Sequence, residues 1–457
     1  MIVLKFGGTS VASAEALRAV ADVVARSPAP WPVVVVSALA GVTDGLLAAW
    51  EVAARGDAAD AERALGAIRA RHLELADAVL RAHAPLRDEV REAVREICER
   101  AAAALAEATG TGGTRARDEY LAAGEEMAVH LLVAALRAAG RPARWVDARR
   151  VVRTDDRFGA ATPLLDRMYE AVREEVVPAL ADSVVVVQGF VGSAPDGSTT
   201  TLGRGGSDTT AALLGAVLDA DEVQIWTDVD GILSADPRVV PAARLVREIG
   251  FEEAIELAYF GARVLHPTAA KHAAAAGVPL RVLNTFKPEG LGTRVRPDRR
   301  HEAGVAAVAY RAGTTLVTVR SLPMFLAHGF LARVFEIVAR HRLAVDLVGT
   351  SHTSTAFTLA GTGALEPILD ELRPFCETTV ERGYATFSVI GHGLLREAGI
   401  VARVFAALGE IGVRLVTQAS DVSLNFLVEE RDAPECARRL HAALIEGRAV
   451  ESKAPAP

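Results

Sequence analysis

Cysteine is scarce. Cys98, Cys376 and Cys436 stand far apart in 457 residues, with no CxxC and no Cys/His pair at metal-ligand spacing. That argues against a disulfide framework and a cysteine-based metal site, and fits three small buried thiols in a reducing compartment. The start, Ile2-Val3-Leu4-Lys5-Phe6, reads directly as a buried strand without a basic, long-apolar stretch, so no secretory leader is expected. Apolar runs such as Val184–Val187 fall far short of the ~20 residues that a membrane helix requires. Excess positive charge is also missing. A formal charge of −8 argues against non-specific nucleic-acid binding, yet leaves phosphate ligands open, because local backbone N–H groups hold anions in an acidic protein too. GxxxxGK(S/T) occurs nowhere, so a Walker A loop is excluded. A cytoplasmic chain follows, with neither nucleic acid nor membrane as partner.

At 51% hydrophobic and 24% charged residues, the chain can bury more than one core, and the expectation is two to four domains. Strand candidates are Ile2–Phe6, Val33–Ser37, Arg144–Asp147, Ser183–Gly189, Glu222–Thr227 and Leu280–Leu283. Several are apolar throughout, which predicts a mainly parallel sheet covered by helices on both faces. Residues 51–108 have helical spacing and read as a helical insertion, broken at Gly110–Thr114. Beyond the charged Arg296–Glu302 the texture repeats: Phe330-Leu331-Ala332-Arg333-Val334-Phe335 answers Ile400-Val401-Ala402-Arg403-Val404-Phe405. Each repeat reads βαββα, the ferredoxin-like order, over 301–383 (with a strand at Thr315–Val319) and 384–450 (with one at Ala385–Ile390). Residues 451–457 read as a disordered tail.

Two segments suit phosphate. Lys5-Phe6-Gly7-Gly8-Thr9-Ser10 follows a strand and precedes a helix; its glycines let amides approach an anion, and Lys5 adds a charge. A plain tight strand-to-helix turn is the competing reading. Gly203-Arg204-Gly205-Gly206-Ser207-Asp208 opens the helix Ala211–Val217, joining an anion nest to an arginine fork. There Asp208 is either a helix cap or a site acid. Asp228 and Asp230, in Trp226-Thr227-Asp228-Val229-Asp230-Gly231-Ile232, lie at a strand's carboxyl end, where open α/β sheets bind ligands, but equally suit a turn.

These segments, with Ala235–Arg238, Phe260–Pro267, Arg153–Gly159 and Gln188–Gly192, resemble the signatures of aspartate kinases in order and spacing over nearly the whole chain, closest to the lysine-sensitive monofunctional type. The resemblance implies an α/β fold: an amino-acid-kinase (carbamate-kinase-like) αβα sandwich over residues 1–300, followed by two ferredoxin-like ACT regulatory domains. It implies transfer of the γ-phosphoryl group of ATP, with Mg2+, to the side-chain carboxylate of L-aspartate, the first step of lysine, threonine and methionine biosynthesis. By similarity, Lys5 and Asp208 are catalytic, and Ser37, Thr43, Glu125, Arg204 and Ser207 hold aspartate. Lys5, Phe6, Gly7, Gly8, Thr227, Asp228, Leu233, Arg238, Arg263 and Val264 fall on ATP positions. Two of these depart from the family pattern: Leu233 replaces Tyr, and Arg263 replaces Lys. His266, within the Phe260–Pro267 motif, is expected to serve structure rather than proton transfer.

For regulation the resemblance implies a homodimer or tetramer through the ACT domains. An amino-acid effector, lysine before threonine, would touch Met324, Phe330, Leu331, Val345, Asp346 and Ser351, with Asp346 the acid for its ammonium. His352 where relatives carry Glu, and Ala327 and Ala344 in place of hydroxyl residues, predict lysine sensitivity that is weakened, shifted to threonine or absent. The chain's length is expected to leave no room for a fused dinucleotide domain. The competing readings are a glutamate-type amino-acid kinase and a non-catalytic amino-acid sensor.

Overall fold

The computed structural model describes residues 1–108, 113–260, 264–297, 304–320, 328–360 and 365–446. It divides into two compact units. The first comprises Met1–Ile232, Arg247–Ile255 and Arg263–Arg299; the second comprises Leu233–Val246, Glu256–Ala262 and Arg300–Pro457.

In the first unit the strands are β1 (Ile2–Phe6), β2 (Val33–Val36), β3 (Ala143–Trp145), β4 (Val184–Gln188), β5 (Val191–Ser193), β6 (Thr199–Thr201), β7 (Glu222–Thr227), β8 (Glu248–Gly250), β9 (Leu280–Asn284) and β10 (Thr293–Arg296). Eight of them form one sheet in the order β3-β4-β2-β1-β7-β9-β10-β8, and β5 and β6 make a separate hairpin. All neighbours in the large sheet run parallel except β9 and β10. Parallel strands covered on both faces must be apolar throughout, and every residue of β2 is fully buried. The short β8 and β10 at the sheet's far side escape a pattern reading, because three or four residues carry no period.

Helices α1 (Ala14–Ala25), α2 (Val42–Ala54), α3 (Ala58–Val79), α4 (Ala84–Ala106), α5 (Gly113–Ala138), α6 (Ala148–Val151), α7 (Leu165–Glu175), α8 (Gly206–Val217), α9 (Phe251–Tyr259) and α10 (Pro267–Ala276) follow in chain order. Ser13 caps α1 by accepting the Ala16 N–H at 3.2 Å. The 51–108 stretch folds as the end of α2 plus the long α3 and α4, which share one core with α5 through Leu46, Leu65, Val94, Ile97 and Tyr120. The expected break at Gly110–Thr114 falls mostly outside the described residues; Gly113 already begins α5.

The second unit holds one six-stranded sheet, β12-β13-β11-β14-β16-β15, from β11 (Gly304–Arg320), β12 (Val345–Thr350), β13 (Ser354–Ala360), β14 (Glu377–His392), β15 (Val413–Thr417) and β16 (Ser423–Glu429). Helices α11 (Phe330–Arg340), α12 (Glu366–Leu372), α13 (Ile400–Leu408) and α14 (Ala433–His441) accompany it.

Here the structure corrects the expected boundary between the two ferredoxin-like repeats. Strand β11 is 17 residues long and belongs to both. Its second part, Thr314–Arg320, pairs with β13, and within it Leu316–Arg320 pairs with Glu377–Glu381, whereas Gly304–Arg311 pairs with Thr386–His392. Tyr310 therefore stacks on Phe387 at 4.9 Å, and Phe387 on Phe426 at 5.5 Å, inside the second repeat. Residues 304–311 lie in the later repeat, not the earlier, so the repeats are interleaved. Register shifts around Gly313, in the left-handed region at φ 74°, interrupt the alternation and hide the strand's full length from the sequence. The 1–300 boundary changes too, since Ala235 and Val240 are core residues of the later repeat.

Candidate active site

The carboxyl ends of β1, β2, β4, β7 and β9 share one sheet edge and are stitched together by backbone bonds. Gly7 N donates to Trp226 O at 3.0 Å, Ser37 N to Phe6 O at 3.1 Å, Ala40 N to Gly8 O at 3.0 Å, Gly189 N to Val36 O at 2.8 Å and Thr285 N to Thr227 O at 2.8 Å. Ser10 Oγ lies 2.7 Å from Thr285 Oγ1. Gly8 is required by close approach: a Cβ there would sit 2.7 Å from Ala38 O. Such an edge, flanking the first strand, is where doubly wound sheets take their ligands.

Lys5, at the end of β1, is 9% exposed, and its Nζ lies 2.6 Å from Oδ1 of Asp208. Asp208 sits in the first turn of α8, whose cap Gly205 has φ 72° and leaves a Cβ only 2.1 Å from His266 Cγ. Of the two readings of Asp208, the ion pair is what the structure holds; no side chain caps α8. Ser207 is buried against Gly189, where a Cβ would meet it at 2.5 Å.

Glu125, on α5, is 3% exposed. Burial pushes its pKa up to about 8, against the opposing pull of the Ala38 N–H and the Lys5 charge, while Oε2 has no hydrogen-bond partner. An acid so placed is suited to a cation brought by a ligand. Ser37, beside Ala38, is half-buried, and so is Thr43 in the first turn of α2 behind Gly41 (φ 79°). Arg204 is exposed in the turn before α8.

The remaining expected nucleotide residues divide. Thr227, half-buried, and Asp228, exposed, stand at the end of β7, the Thr227 hydroxyl donating to Asp228 Oδ1 at 3.2 Å. Asp230 proves to be a turn residue: it accepts from Asn284 Nδ2 at 2.6 Å and from Lys287 Nζ at 2.9 Å. Leu233 and Arg238 belong to the second unit, where Arg238 is spent on Asp236 at 2.6 Å. Arg263 lies outside the described residues, and Val264 is half-buried in the turn before α10. His266 caps α10, and burial lowers its pKa, which agrees with a structural role.

Within the Gln188–Gly192 motif one residue has a feature the sequence does not show, and a second residue, outside the motifs, escaped the sequence reading. Phe190 holds a positive φ of 68° and packs its ring on Gly206; such strain in a bulky residue is a functional-site signal only coordinates give. Asp118, fully buried on α5, accepts from Gly159 N and Thr201 N at 2.8 Å each and from Thr201 Oγ1 at 2.9 Å. In sequence it is one more acid on an acidic helix.

In the second unit, Phe330 and Leu331 open α11 after Gly329, and Val345 and Asp346 lie on β12. Ser351 is exposed, 2.8 Å from Ser354 Oγ. Asp346 is not open: its carboxylate accepts from the Tyr259 hydroxyl and the Arg311 guanidinium, which itself lies 5.1 Å from the Tyr259 ring centroid. Met324 and Ala327 fall outside the described residues. Among the described residues no group of three or more His, Cys, Asp and Glu is placed to hold a metal ion, and no helix is long and apolar enough to cross a membrane.

The amino acid kinase family profile matches residues 1–284, and that of the ACT domain residues 387–444. A mainly parallel sheet with glycine-built turns at its carboxyl edge, joined to these family matches, defines a phosphotransferase of the amino acid kinase class. Lysine-sensitive aspartokinase 3 of Escherichia coli is 41% identical over 98% of this chain and 99% of its own. Aspartokinase 3, chloroplastic, of Arabidopsis thaliana is 33% identical over 100% and 83% respectively. The crystal structure of Escherichia coli aspartokinase III in complex with aspartate and ADP (R-state) superimposes with a TM-score of 0.85 at 39% identity, covering 97% of this chain and 99% of that one. The chain belongs to the aspartokinase family. It is an ATP-using kinase that phosphorylates the side-chain carboxylate of L-aspartate.

Proposed function

We propose that the sheet edge around Lys5 is the catalytic centre and that its residues divide the work by charge. The aspartate side chain has a pKa of ~3.9 and is already ionised, so no base is needed. One of its oxygens attacks the γ-phosphorus, the bond to the bridging oxygen of ADP breaks, and 4-phospho-L-aspartate forms without a proton changing hands. The obstacle is an anion meeting a polyanion, which makes charge neutralisation and positioning the dominant needs. Lys5 and the amides of Gly7 and Gly8 meet the phosphates. Asp208 holds the Lys5 ammonium in place.

Arg204 takes the α-carboxylate of aspartate and Glu125 its α-ammonium, with Ser37, Thr43 and Ser207 lining the same side. Phe6, Thr227, Asp228, Leu233, Arg238, Arg263 and Val264 are assigned to nucleotide. Mg2+ would be held chiefly by phosphate oxygens and water, with Asp208 a carboxylate that could reach it. When bound it neutralises phosphate charge.

For the second unit we assign an amino-acid effector, lysine before threonine, to Phe330, Leu331, Val345, Asp346, Ser351 and Met324, in a homodimer or tetramer formed through the ACT domains. The lysine sensitivity of the Escherichia coli relative supports this choice. Three unpaired cysteines support a cytoplasmic setting.

The observation on which the catalytic reading rests is the Lys5–Asp208 ion pair at a glycine-built strand end. A hydroxamate assay of acyl phosphate formed from ATP tests it: aspartate is turned over, glutamate is not, and Lys5→Ala abolishes the signal. Undiminished turnover by Lys5→Ala overturns the assignment.

A further inference from the structure

Helix α5 carries three buried carboxylates, Asp118, Glu125 and Glu126; Asp118 and Glu125 stand seven residues apart, so these two project from nearly the same stripe of the helix. Only Glu125 faces the strand-end turns of β1 and β2, through Ala38. Asp118 instead collects three donors from two other segments. Oδ2 accepts from Gly159 N and Thr201 N, each at 2.8 Å, and Oδ1 accepts from Thr201 Oγ1 at 2.9 Å. Thr201 ends β6, immediately before the Leu202–Gly205 turn that presents Arg204.

Gly159 closes the Asp155–Thr162 loop against that same turn. Ala161 N donates to Thr201 O at 2.9 Å, and a Cβ on Gly203 would lie 3.1 Å from Gly159 O. One carboxylate thus ties α5, the loop and the turn at a single buried point. Neither segment has another side chain of α5 bonded to it among the described residues.

We propose that Asp118 is a positioning residue for aspartate: it fixes the Arg204 turn relative to Glu125, setting the span between the groups that receive the α-carboxylate and the α-ammonium. The proposal rests on the assignment of Arg204 and Glu125 to substrate. A bidentate carboxylate contact and a buried acid act together on one small ligand only if their separation is held, and a displacement of about 1 Å at such a site costs on the order of a hundredfold. Asp118 touches no substrate; it acts through the backbone of Thr201 and Gly159.

The test uses the full chain and four variants: Asp118→Asn, Thr201→Val, Thr201→Ser and Arg204→Ala. Asp118→Asn is expected to raise the KM for aspartate about tenfold or more, with the KM for ATP within about twofold of the parent. Thr201→Val, which removes only the hydroxyl donor and serves should Asp118→Asn not fold, raises the aspartate KM less, and Thr201→Ser restores it. Hydrogen exchange quickens in peptides covering 155–162 and 199–205 and not in those covering β1. A folded Asp118→Asn protein with parental aspartate KM overturns the proposal, as does an equal loss for both substrates that follows the melting temperature. If instead Arg204→Ala leaves the aspartate KM unchanged while Asp118→Asn quickens exchange, the substrate assignment falls, and the positioning role for aspartate falls with it.

Discussion

Asp346 of β12 accepts hydrogen bonds from Arg311 of β11 and from the hydroxyl of Tyr259, although it is the acid assigned to an effector's ammonium. The carboxylate side chain is 1% exposed, so an arriving ammonium must replace partners already present. Arg311→Ala leaves the buried charge unpaired and open to a ligand cation. The expected outcome is lysine inhibition at concentrations about tenfold lower, the equivalent of one lost charged hydrogen bond. Tyr259→Phe should act in the same direction and less. Inhibition curves for aspartate phosphorylation, with lysine varied, check both; an unchanged midpoint would remove Asp346 from the effector site.

Lys5→Ala should lower kcat by a factor on the order of 10³, since one preorganised charge at a phosphoryl-transfer centre has that weight. Lys5→Arg should recover little: the planar fork cannot reproduce a point charge 2.6 Å from Asp208 at a largely buried position. Steady-state kinetics with a folded protein, shown by an unaltered melting curve, decides it.

Glu125 gives a pH signature. Its pKa of about 8 lies above the ordinary 4.5 because burial disfavours the charge. The free enzyme therefore holds a proton there at neutral pH, and an ammonium ligand must drive it off. The KM for aspartate should fall as pH rises from 6 to 8 and level off above. Stability runs the other way: the folded state keeps a proton that the unfolded state releases between pH 4.5 and about 8, so the contribution is present at low pH and lost as pH rises through the folded pKa. Glu125→Gln should abolish both trends, with a higher melting temperature at pH 8 and aspartate binding lost. Isothermal titration in two buffers of different ionisation enthalpy would count the released proton.

Gly205→Ala should inactivate the enzyme. Its Cβ would lie 2.1 Å from His266 Cγ, and the residue sits at φ 72°. Adding His266→Gly removes the colliding side chain, its Cβ at 2.4 Å included, but not the backbone cost, about 1 kcal/mol for a left-handed alanine. Partial recovery of kcat/KM in the double variant is expected; full recovery would mean that the backbone conformation is unimportant.

Much of this was legible beforehand, and the reason is local chemistry. Lys5, Gly8, Arg204 and Asp208 lie in glycine-rich turns at strand ends, where composition and position point the same way. Asp118 was not legible, because an acid inside a helix with helical spacing reads as solvated until the donors from residues 159 and 201 are seen. The partners of Asp346 were hidden for the same cause: they come from 35 and 87 positions away. The full length of β11 was illegible for another reason. Its two parts pair with different stretches of β14, only the second also with β13, and pairing with partners so far along the chain leaves no mark on local periodicity.

That long strand also orders events during synthesis. Residues 304–311 leave the ribosome early, but their partners in β14 follow only after the whole earlier repeat, and the β16 strand beside those partners later still. A nascent chain halted at residue 383 would expose Val308 and Tyr310 on an unsatisfied strand edge, an invitation to mispairing. The same geometry sets the rule for chimaeras. A transplanted regulatory half cut at residue 313 would lack a strand, so a working graft must begin at or before Gly304 and bring the Leu233–Val246 segment, or a substitute for it, along.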